Sequence, residues 1–72
     1  MTNNNKKYGC VKFVDSKSGD WGFILSSDGD DYFFHRSGCL CDINELDSRI
    51  EVYFNIQQGT QGMEAVDIEL VR

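Results

Sequence analysis

The chain has 72 residues and carries 12 acids against 7 bases, a formal net charge of -5 at pH 7. That length makes one small domain, and no apolar run approaches the ~20 residues that a membrane-crossing helix needs. The polar start, residues 1–7, contains no apolar secretory segment, so a cytoplasmic protein with no membrane partner is expected.

Residues 1–7 read as a flexible tail ahead of a domain spanning 8–72. Residues 8–15 are rich in Val and Phe and read as a first strand. Val11 and Phe13 share a parity although one must face inward and the other outward, which calls for a bulge or a strong bend. Residues 15–20 form a turn. Two aromatic runs follow as strands two and three, residues 21–25 and 32–36, joined by a turn-rich connector. Residues 37–48 show no alternation and read as a loop with one helical turn. Residues 49–57 alternate cleanly, with Ile50, Val52, Phe54 and Ile56 on one face. After a turn at 59–62 comes a fifth strand, with Val66, Ile68 and Leu70 expected on one face. Five short strands with glycine-rich turns predict an all-β fold, a small five-stranded antiparallel barrel whose closure removes exposed edges.

Alternation assigns faces in the two aromatic strands. Trp21 and Phe23 share one face, as do Phe33 and His35, while Ile24 and Phe34 point toward a core. Folding the hairpin sets four flat rings side by side on one surface. A chain this short cannot cover both faces of every strand, and an exposed aromatic surface offers a stacking platform for bases of single-stranded nucleic acid. The acidic balance opposes such a partner overall. Yet the charges of residues 1–36 cancel, and the whole excess falls in residues 37–72. Binding is therefore expected to rest more on stacking than on phosphate neutralisation, with Asp20, Asp28, Asp30 and Asp31 weakening phosphate contacts.

The residues Gly9-Cys10-Val11-Lys12-Phe13, Gly19, Trp21-Gly22-Phe23-Ile24 and Asp31-Tyr32-Phe33-Phe34-His35 resemble the cold-shock domain of bacterial-type cold shock proteins. The resemblance runs from about Tyr8 to Val71, and Gly59, Gly62, Ala65 and Ile68 echo the family's last hairpin. It implies an oligonucleotide-binding (OB-fold) barrel, binding of single-stranded RNA and DNA, and an RNA-chaperone or regulatory role. Carried over by position, it implies a nucleic-acid-binding set of Lys12, Phe13, Trp21, Phe23, Phe33 and His35, to which Arg36 is added as a stacking guanidinium. Phe13 stands where the family usually has Trp, and Trp21 where it usually has Phe or Tyr. Asp20 is inserted before Trp21, Arg36 replaces an aromatic, the loop after strand three is short and lacks an aromatic, and Met63 replaces a proline common in the last hairpin.

Other chemistry is poorly supported by these residues. His35 lacks a partner at nucleophile spacing. Cys39-x-Cys41 with His35 is too closely spaced for a structural zinc site and lacks a fourth ligand, Cys10 being far away in sequence. Three cysteines, an odd number, also exclude a full disulfide framework within one chain. No paired carboxylates, activated nucleophile or phosphate-cradling loop can be named, so no enzyme, metal or cofactor is expected. The alternative function is a protein-interaction module, in which the acidic half docks a basic partner. A monomer is expected, with a dimer as the alternative.

Overall fold

The computed structural model describes residues 6–60 and 62–71. Its strands are β1 (Lys7–Val14), β2 (Trp21–Ser26), β3 (Asp31–His35), β4 (Glu51–Gly59) and β5 (Gly62–Leu70). They close into a barrel in the order β1-β2-β3-β5-β4, with β4 pairing back onto β1. This is the expected all-β OB-type barrel. Neighbouring strands are antiparallel except where β3 meets β5, which run parallel. Strand β1 begins at Lys7, inside the segment expected as a tail; residues 1–5 of that segment lie outside the described residues.

The interior holds Val11, Ile24, Phe34, Val52, Phe54, Ala65 and Ile68 from the strands. Ile43 and Leu46 add to it from the connection between β3 and β4, read from sequence as a loop. That connection contains two 3-10 turns, Arg36–Gly38 and Ile43–Glu45, where one turn was expected. Asp42 caps the second by accepting from the Asn44 N–H, which aims Ile43 and Leu46 inward. Arg36, read as the end of strand three, belongs to the first of these turns.

Two bulges set which side chains face out. Val11 pairs with Ile24 and Phe13 with Phe23, so Lys12 is the extra residue in β1. The bulge buries Val11 and turns Phe13 outward, as the parity conflict required. The second was not anticipated. Tyr53 faces Glu69 while Asn55 faces Val66, so β5 holds one residue more than β4 between these pairs. Asp67 takes φ 53° there, and its carboxylate accepts from the Asn55 amide at 3.0 Å. Aspartate tolerates this left-handed conformation better than most residues. The extra residue changes the phase of β5. Ala65 and Ile68 are buried and Val66 is only half-buried, correcting the single face expected for Val66, Ile68 and Leu70.

Candidate nucleic-acid interface

The outward face of β1, β2 and β3 carries four rings in mutual contact. Phe23 lies directly across from Phe13 on one side and from Phe33 on the other, so the three sit in one row across the sheet. Their centroids are 5.7 Å (Phe13–Phe23) and 5.8 Å (Phe23–Phe33) apart. Trp21, one pleat along β2, reaches Phe13 at 6.0 Å edge-on and Phe33 at 6.0 Å in a stacked arrangement, interplanar 29°. These spacings fall within the favourable range for aromatic pairs. Phe13 remains 42% exposed, and Trp21, Phe23 and Phe33 are half-buried, each leaving ring surface open to solvent.

The backbone beneath explains why the rings lie so close. Gly22, between Trp21 and Phe23, points inward. A Cβ there would stand 2.2 Å from the Phe13 carbonyl oxygen and 2.9 Å from the Phe34 ring. Glycine thus lets Phe34 pack directly under the platform while β1 closes against β2. Gly9 does the same at the other end of the pairing, where a Cβ would meet the Leu25 carbonyl oxygen at 2.3 Å.

His35 is opposite Trp21 and exposed. Its Nδ1 accepts the Ser37 backbone N–H at 3.1 Å and lies 3.1 Å from the Ser37 hydroxyl. The two basic residues of the expected set are already engaged. Lys12 Nζ lies 3.0 Å from Asp31 Oδ2, and Arg36 Nη1 lies 3.3 Å from Asp20 Oδ1. The Arg36 N–H also donates to the Asp20 carbonyl at 2.7 Å. The inserted acid and the arginine that replaces an aromatic therefore touch. The sequence places Asp20 as a negative charge beside the platform; the fold gives that charge a partner in Arg36. All seven residues of the expected set lie on or beside this one face.

The cysteines do not gather into a ligand set. Cys39 forms a parallel bridge with Ile68, and its thiol donates weakly to the His35 carbonyl at 3.8 Å. Burial, with the neighbouring Cys41 second, pushes its thiol up to about 11, which disfavours the thiolate a metal would need. Sequence reasoning missed one pair of rings. Tyr53, on the outward face of β4, packs at 5.8 Å against Tyr8 across the β1–β4 pairing. Cross-strand position would have revealed it only once the register of β1 on β4 was known.

A closed five-stranded barrel with aromatic residues clustered on the outer face of three consecutive strands defines the OB-type, oligonucleotide-binding class of small β-barrels. Within it, the chain belongs to the cold-shock family: residues 7–71 match the "'Cold-shock' DNA-binding domain". It is 36% identical to cold shock protein CspC of Bacillus subtilis over 62 residues, covering 85% of this chain and 92% of that protein. It is 40% identical over 67 residues to the cold shock-like protein CspB of Yersinia pestis, covering 90% and 94%. A cold shock-like protein of Thermotoga maritima is 38% identical over 64 residues, covering 88% and 96%. At the level of the family, this is a nucleic-acid-binding domain.

Proposed function

We propose that this chain binds single-stranded RNA and DNA by stacking bases on Trp21, Phe23, Phe33 and Phe13, and acts as an RNA chaperone or regulator of the cold-shock type in the cytoplasm. The observation that carries the reading is the contiguous cluster of partly exposed rings on the β1–β3 face. Every base has a π-face, so such a cluster accepts unpaired strands without demanding one sequence. His35 offers a further flat, exposed ring. Lys12 and Arg36 flank the rings and meet phosphate by exchanging their carboxylate partners for it. The protein works as a monomer and needs no cofactor. Among the described residues no helix is long and apolar enough to cross a membrane.

Trp21 is the only tryptophan, so its fluorescence reports directly on the platform. Titration with a single-stranded oligonucleotide is expected to quench it, and a duplex of the same sequence is expected to quench it far less. Absence of quenching with single strands of any base composition would overturn the reading and favour a protein-interaction module.

A further inference from the structure

The outer face of β1 does not end at Phe13. On the far side of the Lys12 bulge, Cys10 and Tyr8 also face outward, with Gly9 and Val11 buried between them. Leu25 lies across from Cys10 on β2, and Tyr53 across from Tyr8 on β4. Between them runs a groove of about 430 Å³ whose walls include Tyr8, Cys10, Leu25, Arg49 and Glu51. Tyr8 is 40% exposed and Leu25 38%. The Tyr8 ring is steadied by Tyr53 at 5.8 Å.

Arg49 is the distinctive charge here. Lys6, Lys7, Lys12 and Arg36 each hold an acid within 3.3 Å. Arg49 has no ion pair among the described residues and lines the groove. Its backbone is pinned to β1 by donating to the Val11 carbonyl at 2.7 Å, and it takes φ 73°. A left-handed turn suits glycine far better than arginine. The side chain standing there is a guanidinium, which matches phosphate in geometry and stacks on flat rings.

We propose that the groove is a second nucleic-acid subsite, in which a strand leaving the Phe13 end of the platform stacks a base on Tyr8 and places a phosphate at Arg49. This rests on the single-strand reading above and extends it. The two surfaces are continuous on one strand: four residues lie between Tyr8 and Phe13, and with Lys12 bulged out the span is about 13 Å at roughly 3.3 Å per residue. The Lys12–Asp31 pair lies between them and replaces one more carboxylate contact by phosphate as the strand passes. Glu51 and the nearby Asp28 and Asp30 set a limit on the charge the groove tolerates, so one arginine and one ring carry the contact.

The test compares oligothymidylates of about six and about twelve nucleotides, within the roughly 4–16 that single OB-folds cover. Affinity is measured by Trp21 quenching for the parent, Tyr8→Ala and Arg49→Gly. Glycine suits the backbone at position 49, so that variant keeps its fold, which circular dichroism verifies for both. Longer strands also gain from having more binding registers, so the variants, not length alone, decide. Each is expected to weaken the long strand at least about fivefold, the lower range of one base–aromatic contact, and to leave the short strand unchanged. Arg49→Gly should also flatten the dependence of log affinity on log salt by about 0.7 for the long strand only. Unchanged long-strand affinity in both variants overturns the subsite while leaving the platform reading intact, and points the groove toward a protein ligand instead. Equal losses at both lengths also overturn it. If neither length binds the parent, the platform reading fails first and the subsite with it.

Discussion

Phe33 and Phe34 are neighbours in sequence with opposite surroundings. Phe33 stands on the outer face between Trp21 and Phe23, and Phe34 is 0% exposed beneath them. Phe33→Ala is expected to weaken single-strand binding by about 1–3 kcal/mol, as loss of one stacking ring does, with little change in thermal stability. Phe34→Ala is expected to lower stability by about 3–5 kcal/mol, the range for deleting a buried aromatic, read by denaturant unfolding. If both variants lose stability alike, the assignment of faces on β3 is wrong. These two fates were legible in the sequence, because alternation over a short strand needs only parity. The partners of the charges were not. Asp20 and Arg36 are sixteen positions apart, and only the β2–β3 register brings them to 3.3 Å. Asp20→Asn is expected to tighten binding, more at low salt than at high, since it removes a like charge near phosphate and releases Arg36. Glu69→Gln, which breaks the Lys6 pair on β5, is the control and should change affinity less. Equal effects would show that net charge alone matters.

At the scale of elements, the aromatic row depends on how tightly β1 closes on β2. Gly22→Ala forces a Cβ against the Phe13 carbonyl and the Phe34 ring. The cost is expected to be about 1–3 kcal/mol, typical of overpacking, with weaker oligonucleotide binding because the Phe13–Phe23 spacing must open. A calorimetric melt together with the Trp21 titration checks both; an Ala variant as stable as the parent would mean the strands yield there without strain. The β1 bulge was legible because Val11 and Phe13 could not otherwise satisfy inside and outside together. The β5 bulge was not, because residues 65–71 contain apolar side chains at both parities and nothing marked Asp67 as the residue to be displaced. Ile43 and Leu46 escaped for a different reason. They enter the core from a 3-10 turn and the residue that caps it, and three-residue turns have no periodicity long enough to read.

For the whole molecule, the five-stranded barrel and the family were legible from five strands and two aromatic motifs, whereas the strand order, with β3 parallel to β5, and the balance of charge required the fold. Ion pairs neutralise acids around the platform although the chain as a whole stays at -5. They are exposed, so each adds little to stability, but they govern its pH dependence. The hydrogen bond from Lys7, followed by those of Ser26 and the Asp30 N–H, holds the Asp28 carboxyl down at about 2. The same contact raises Lys7 above its usual range. A depressed carboxyl stabilises the fold above its unfolded value of 3.8 and loses that contribution as pH falls toward about 2. The raised lysine stabilises below 10.5 and loses its share as pH rises through its folded value. The Tm difference between the parent and Asp28→Asn is therefore expected to be largest from about pH 4 up to 10 and to shrink as pH falls through about 2, vanishing below it; a difference that stays undiminished there would assign it to another cause. Binding of single strands to the outer face of β1–β3 is checked by mapping backbone amide chemical shifts during titration with an oligothymidylate. The largest changes are expected on Lys12, Phe13, Trp21, Gly22, Phe23, Phe33 and His35; changes concentrated on the β4–β5 hairpin, with those amides still, would contradict binding at this face.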